Sequence, residues 1–222
     1  MRVDWYGQAS FRLTTPDAVV FIDPFGDMSA LADRGMRFDY PPIEDVAADL
    51  VLVTHEHADH NATAAIGGDP QILRSTAGRL PSPIGEVLAV ASEHDGAAGT
   101  ERGPNTIFVF DLGGLRVAHF GDFGQPALRH AQAVAIGTVD LAFLPVGGGP
   151  TIDGEQAAAI ARRIGARWVV PMHYRTHRTD FLAPIDGFLD HVSDVHHVGA
   201  SGFETDGLPA AGPPLAIGPD AP

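Results

Sequence analysis

A short apolar run that stops at a cluster of metal-type side chains constrains this chain more than any other feature. Leu50-Val51-Leu52-Val53 is followed at once by Thr54-His55-Glu56-His57-Ala58-Asp59-His60-Asn61. The run reads as a β-strand, so the side chains after it leave the sheet edge and open into one crevice. Neutral imidazole is the commonest protein metal ligand, and imidazole with carboxylate suits zinc and related first-row ions. Alternate residues of an extended chain face opposite ways. Four ligands this close in sequence therefore converge poorly on one ion, and the pattern predicts two. His55 and His57 would serve one, and Asp59 and His60 the other once the chain turns into a helix. A solvated polar loop is the plainer alternative.

Composition narrows the chemistry. There is no cysteine, so disulfides and thiolate ligands are out, and a metal site must draw on His, Asp and Glu. The formal charge is −14, and all 14 basic residues are arginine. Such an acidic surface repels phosphate backbones, which argues against nucleic acid as a partner. Bound divalent ions would reverse the field locally and leave an anionic small-molecule substrate open. No apolar stretch approaches the ~18 residues of a membrane span. The opening Met1-Arg2-Val3-Asp4-Trp5 lacks an apolar signal-peptide core, so a cytoplasmic protein is expected. A homo-oligomer is left open.

Read in order, residues 3–6, 10–14 and 19–22 form a meander of short strands, and Asp23-Pro24 ends the third. Residues 27–42 read as a surface loop with at most one short helical piece, able to overhang a pocket. After the strand at 49–53, the sequence predicts a helix over 60–66, a strand at 71–74, a short helix near 76–80 and a strand at 86–91. Residues 106–110 and 115–120 flank Asp111-Leu112-Gly113-Gly114 and predict a hairpin. Helical spacing over 126–136 rests on Leu128, Ala131, Val134 and Ala135. A strand at 140–144 precedes the clearest helix, which opens on a capping box of Asp153 and Gln156 and stops at Gly165. A strand at 168–170, a helix capped by Asp180 and running to Val192, and a last strand at 194–198 complete the domain, placed at 1–206. The tail, 207–222, is rich in Pro and Gly and is expected to be extended or disordered, outside the core. The order implies an α/β fold, a four-layer αβ/βα sandwich of two mixed β-sheets with helices outside. Ligands in such sheets sit beyond strand ends.

Several predicted strands end on the same chemistry: His94 after 86–91, Asp122 after 115–120 and His173 after 168–170. The residues divide naturally. His55, His57 and His94 would hold one ion; Asp59, His60 and His173 the other; Asp122 would bridge them. Two divalent ions make a bridging hydroxide the expected nucleophile, with Asp59, Asp122 and His173 serving catalysis as well as ligation. Asp23 is expected to orient a ligand histidine or simply to turn the chain. Asp95 could orient His94. His119 is read as a packed histidine. Gly147, Gly148 and Gly149 read as a flexible turn or an anion site, and Tyr174, Arg175 and His177 as groups able to donate a proton or grip an anion.

These stretches together resemble the metallo-β-lactamase-fold hydrolases. The resemblance rests on Thr54-His55-Glu56-His57-Ala58-Asp59-His60, then His94, Gly121-Asp122 and His173, in that order. Within the superfamily the chain is similar to the ascorbate-6-phosphate lactonase-like branch. Tyr6-Gly7-Gln8-Ala9-Ser10-Phe11, Ile22-Asp23-Pro24, Phe120-Gly121-Asp122-Phe123-Gly124, Leu144-Pro145-Val146-Gly147-Gly148 and Pro171-Met172-His173-Tyr174 carry that likeness, which departs from the family where Gln8 replaces the usual His. The resemblance implies a metal-dependent hydrolase with two divalent ions, zinc first and manganese or iron next, acting on a small-molecule ester, lactone, amide or phosphodiester. Two rivals are carried along: a mononuclear iron dioxygenase acting on a thiol or persulfide, and a metal-binding module without turnover.

Overall fold

The computed structural model describes residues 1–210 and 214–222. Its first five long strands are β1 (Arg2–Gly7), β2 (Ser10–Thr14), β3 (Val19–Ile22), β4 (Leu50–Val53) and β5 (Gln71–Arg74). They are followed by β6 (Gly78–Ser82), β7 (Gly85–Glu93), β8 (Pro104–Leu112), β9 (Leu115–His119), β10 (Leu141–Pro145) and β11 (Trp168–Met172), then β12 (Asp194–His197), β13 (Gly202–Glu204) and β14 (Leu215–Gly218). One large sheet runs β13-β1-β2-β3-β4-β5 and the other β12-β14-β11-β10-β9-β8-β7-β6, while residues Val46–Ala47 and Ile66–Gly67 pair in a separate two-stranded sheet. Both large sheets are mixed: β1, β2 and β3 pair antiparallel, whereas β3, β4 and β5 pair parallel. In the second sheet, β6 to β9 pair antiparallel, and β9, β10, β11, β14 and β12 pair parallel.

The sheets pack face to face. Phe11 of β2 meets Phe143 of β10 with ring centroids 4.5 Å apart, and Trp5 of β1 meets Tyr174 at 5.6 Å. The unbroken apolar run of β4 follows from burial on both faces. Leu50 and Leu52 enter the core between the sheets, while Val51 and Val53 join an outer cluster with Phe21, Phe25, Tyr40 and Ile43. The outer layers differ. On the second sheet, α1 (His130–Ile136) lies over β7 and α2 (Gly154–Arg163) over β10, with α3 (Asp186–Leu189) packed on α2. On the first sheet the cover is the segment from Phe25 to Ala48, which contains a single 3-10 turn, Ser29–Arg34.

Several sequence expectations need correction. Residues 60–66 are not an α-helix. His60 N donates to His57 O at 3.0 Å and Ala62 N to Pro24 O at 2.8 Å, so backbone donors that a helix would use serve a turn and a neighbouring loop. Only the 3-10 turn Thr63–Ala65 remains. Residues 76–80 contribute to β6, an edge strand in a hairpin with β7 that can hold Pro81. The helix at 126–136 shortens to α1, and Val134 is 67% exposed rather than part of an apolar face. The helix from 180 to 192 shrinks to α3: Pro184 has no N–H for a helical ladder, and Ala183 N donates to Gly147 O at 2.8 Å instead. Asp180 caps no helix and instead accepts from Arg37 N at 2.9 Å. α2 has the expected capping box, with Gln156 N donating to Asp153 Oδ1 at 2.9 Å.

The tail is the largest correction. β14 inserts between β11 and β12, with Leu215, Ala216 and Ile217 buried in the main core. Its Pro and Gly residues flank a four-residue strand that a composition argument averages away. Residues 211–213 of that tail lie outside the described residues.

Candidate metal centre

Strand direction explains why distant residues meet. β7 and β9 are each antiparallel to β8, so they run the same way, and β10 and β11 run with them. β7, β9 and β11 therefore end at one edge, where His94, Asp122 and His173 follow them. Across the interface β4 ends at His55. Asp23, fully buried and held at φ 49°, ties β3 to β4: its Oδ1 accepts from Thr54 N and its Oδ2 from Thr54 Oγ1, both at 2.8 Å.

Close backbone approach fixes the other loops. A Cβ on Gly124 would collide with the His94 backbone, and one on Gly147 with the His173 carbonyl, so both positions need glycine to bring the strand ends together. His173 itself adopts φ 51°, a conformation costing of order 1 kcal/mol that the surrounding packing must hold. Asn105, buried at the start of β8, braces the Asp122 loop: its Nδ2 donates to Phe120 O and Ser92 Oγ at 2.8 Å, and its Oδ1 accepts from Asp122 N at 3.2 Å. Sequence reading missed Asn105 and Thr54. For Asn105 the available signal was a buried-strand position given to a β-depleted residue.

The structure brings all seven expected residues together. His55, His57 and His94 form one group, Asp59, His60 and His173 another, and Asp122 stands with His55 and His60. Asp122 Oδ2 lies 3.2 Å from the Nε2 atoms of both His94 and His173, 3.4 Å from that of His60 and 3.9 Å from that of His55. His55 Nε2 and His57 Nδ1 are 3.1 Å apart. Ligands about 2.05 Å from a tetrahedral ion sit roughly 3.3 Å from one another, so these separations match the edges of such a coordination shell. Asp122 Oδ1 is buried without a hydrogen-bond partner, a second sign that the cluster is built to receive a cation.

Neighbouring groups orient the rings. His94 Nδ1 donates to Pro150 O at 3.1 Å, which turns its Nε2 lone pair toward Asp122. His60 Nδ1 is 3.0 Å from Asp23 Oδ2, off the line of a well-formed hydrogen bond but close enough for charge to act. Asp23 therefore acts on His60 through charge, while its hydrogen bonds go to Thr54 and not to a ligand histidine. Burial, reinforced by His60, pushes His55 down to about 2, and burial with His94 also lowers His57. Both rings are therefore neutral and able to ligate. Burial opposes ionisation of Asp59 and Asp122, but His60 next to Asp59 takes it down to about 2, and His173 and His60 hold Asp122 well below the carboxylate range. Burial also opposes charge on His60, yet Asp122, Asp59 and Asp23 surround it and raise its pKa well above the ordinary imidazole value.

Other expectations divide. His119 is a packed histidine, donating from Nε2 to Ala9 O at 3.0 Å and accepting from Gly121 N at 3.2 Å. Glu56 points outward to Arg74. Asp95 does not orient His94. Its carboxylate instead accepts backbone N–H bonds from Ala97, Gly99, Glu101 and Arg102, and these hold it below its usual pKa against the effect of burial. Gly148 N donates to Ile152 O, so that amide is unavailable to an anion. Gln8 is fully buried with both amide atoms unpartnered.

A cavity of about 370 Å³ opens over His57, Asp59, His94, Asp122 and His173. Met28, Leu31, Met36, Pro150 and Phe181 form its walls, so the 27–42 loop does overhang the pocket. Arg34 and Arg102 line it, whereas Tyr174, Arg175 and His177 do not. Tyr174 packs on Trp5 instead. A neighbouring cavity of about 470 Å³ shares Met28 but contains none of the histidines, so the chemistry belongs to the smaller one.

A family model described as the beta-lactamase superfamily domain matches residues 2–173, a span that ends on His173. A UPF0173 metal-dependent hydrolase of Nitratidesulfovibrio vulgaris is 31% identical over 200 residues, covering 79% of this chain and 80% of the relative. A UPF0173 protein of Pyrococcus abyssi is 29% identical over 199 residues, covering 80% and 85%. The crystal structure of a Thermotoga maritima protein, provisionally assigned as a Zn-dependent hydrolase of the metallo-beta-lactamase superfamily, superposes with a TM-score of 0.78 at 27% identity, covering 99% of this chain and 98% of that one.

Proposed function

The chain belongs to the beta-lactamase superfamily, and from that premise we propose that it is a hydrolase whose seven-residue cluster holds two divalent metal ions, zinc in the first instance, and which cleaves an ester, lactone, amide or phosphodiester in a small molecule. One observation carries this reading: a single oxygen of Asp122 lies within 3.2–3.9 Å of four imidazole nitrogens, at the junction of two triads that could each hold an ion. A pair of bound ions supplies Lewis acidity, polarising the scissile carbonyl or phosphoryl group and acidifying water to near-neutral pH.

The chain's own residues prepare that chemistry. His55 and His57 are kept neutral by burial, so no proton must leave them before they ligate. The Pro150 carbonyl holds the His94 ring with Nε2 toward Asp122, and the Asp23 carboxylate faces His60 Nδ1 at 3.0 Å. Asp59 is the more exposed carboxylate, its side chain 22% accessible against 4% for Asp122. We assign it the transfer of protons between the reacting water and bulk solvent. The half-buried walls around Met28, Leu31, Met36 and Phe181 limit access of water and fit an apolar substrate body.

Metal analysis of protein purified without added metal, joined to a panel of chromogenic esters, lactones and phosphodiesters run with and without chelator, tests the proposal. Two divalent ions per chain, with turnover lost to chelator and restored by zinc or manganese, is the expected result. Chelator-insensitive turnover would overturn it, as would one iron per chain with oxygen-dependent consumption of a thiol.

A further inference from the structure

The arginines divide by what their side chains meet. Arg2, Arg12, Arg74, Arg79, Arg116 and Arg129 pair with carboxylates. Arg162, Arg163 and Arg178 donate to backbone carbonyls, and Arg167 stacks on Trp168. Among the described residues, Arg34, Arg37, Arg102 and Arg175 have no side-chain partner. In a chain with 28 carboxylates, an unpaired guanidinium is conspicuous, and two of these four line the metal cavity.

The two come from separate segments with well-held backbones. Arg34 closes the 3-10 turn Ser29–Arg34, which Gly35 ends by donating to Ala32 O at 2.9 Å. Arg102 sits on the loop wound around Asp95, whose Oδ2 accepts from Arg102 N at 2.8 Å. Both residues are exposed and line the same space as Asp59 and Asp122, yet among the described residues neither forms an ion pair with a carboxylate. Asp59 and Asp122 are already engaged by histidines.

We propose that Arg34 and Arg102 are specificity residues that grip an oxyanion, a carboxylate or phosphate, carried by the substrate away from its scissile bond. The substrate is then a small anionic ester, lactone or amide whose apolar part lies against Met28, Leu31, Met36 and Phe181. Guanidinium forks suit both oxyanions, and Arg is the residue for bidentate recognition of either. As a statement about substrate this rests on the hydrolase reading; as a statement about anion binding it does not.

Two measurements separate the cases. The first compares 4-nitrophenyl acetate with mono-4-nitrophenyl succinate, a neutral and an anionic ester, in wild type, Arg34→Gln, Arg102→Gln and the double variant. Each single change is expected to lower the anionic-to-neutral ratio of kcat/KM about 5–20-fold, mainly through KM, because a partly exposed charge-assisted hydrogen bond is lost. Arg175→Gln, away from the cavity, keeps the ratio within twofold. Raising salt from 50 to 500 mM erodes the wild-type preference and leaves the double variant unaffected, as screened charges require. The second measurement titrates benzoate and phenylphosphonate into metal-free, dialysed protein by calorimetry. Wild type binds at least one of them, and the double variant binds it at least about tenfold more weakly; whichever is preferred identifies the oxyanion. Equal binding by both proteins, or none by wild type, overturns the clamp. If fully metal-loaded protein turns over neither ester, the hydrolase reading fails by itself and the titration still decides the clamp.

Discussion

Gly147→Ala isolates the role of backbone approach in the metal centre. A methyl group at this position would sit 2.8 Å from Tyr174 Cα and closer still to the His173 carbonyl oxygen. Carbon atoms rest about 3.5–4.0 Å apart, so the end of β10 and the end of β11 must separate by roughly 1 Å. Overpacking of this kind costs about 1–3 kcal/mol, and for a chain of this size lowers Tm by about 2–10 °C. The consequence for the centre is sharper. Metal-ligand distances tolerate only about 0.2 Å, and His173 rides on the displaced backbone. The Asp59, His60 and His173 group should therefore lose at least about tenfold in affinity, while His55, His57 and His94, anchored on β4 and β7, retain theirs. Titration of metal-free protein with Co(II), followed by its visible absorption, separates the two phases. Gly148→Ala is the control: its added methyl meets only the Asp153 Cβ, at 3.9 Å, so it carries backbone strain at φ 60° without pushing on His173. The reasoning is refuted if Gly147→Ala shows two wild-type phases and an unchanged Tm, or if Gly148→Ala weakens the same phase equally.

Further outcomes follow from the charges and the core. In metal-free protein, His119 is depressed to about 4 by burial and His55 to about 2, so the stability they lend is present above pH ~6.5 and lost as pH falls toward those values. His60 has the opposite sign: its raised pKa lends stability below pH ~6.5 that is lost as pH rises through it. Thermal melts of metal-free protein should peak near pH 6.5, and a profile flat from 4 to 9 would contradict both assignments. Metal uptake must displace the His60 proton, so calorimetry in buffers of different ionisation enthalpy should report about one proton released near pH 7; none released would mean that His60 does not ligate. Asp23→Asn removes the charge that accepts from Thr54 and faces His60, and should cost about 2–3 kcal/mol in urea unfolding and about 10–100-fold in metal affinity. An unchanged metal affinity would remove Asp23 from the centre. Ile217→Ala should cost about 2–5 kcal/mol, because that side chain is fully buried in β14, and a loss under 0.5 kcal/mol would show that the tail does not complete the sheet.

What could be read directly was local. Strands β1 to β5 and β7 to β11 follow from short apolar runs bounded by turn residues, and the capping box of α2 is visible as Asp153 and Gln156. Local rules also produced the errors. Phe181, Leu182, Ile185, Phe188 and Leu189 repeat at helical spacing, yet Ala183 N is drawn to Gly147 O and Pro184 breaks the ladder. Arg175 looked suitable because it follows His173 closely in sequence, whereas Arg34 and Arg102, distant in sequence, are the arginines that reach the cavity.

The sequence by itself determined which chemistry was available: no thiolate, seven His and Asp residues placed after apolar runs, and a family motif in the right order. Only the tertiary structure decided that three strands of one sheet run the same way and end opposite β4, that Arg34 and Arg102 line the cavity, and that β14 belongs to the core. The reason lies in range. Side-chain identity and spacing act over a few residues, while convergence at one edge is set by strand order and by backbones packed too closely for a Cβ, and neither is written in any single stretch of the chain.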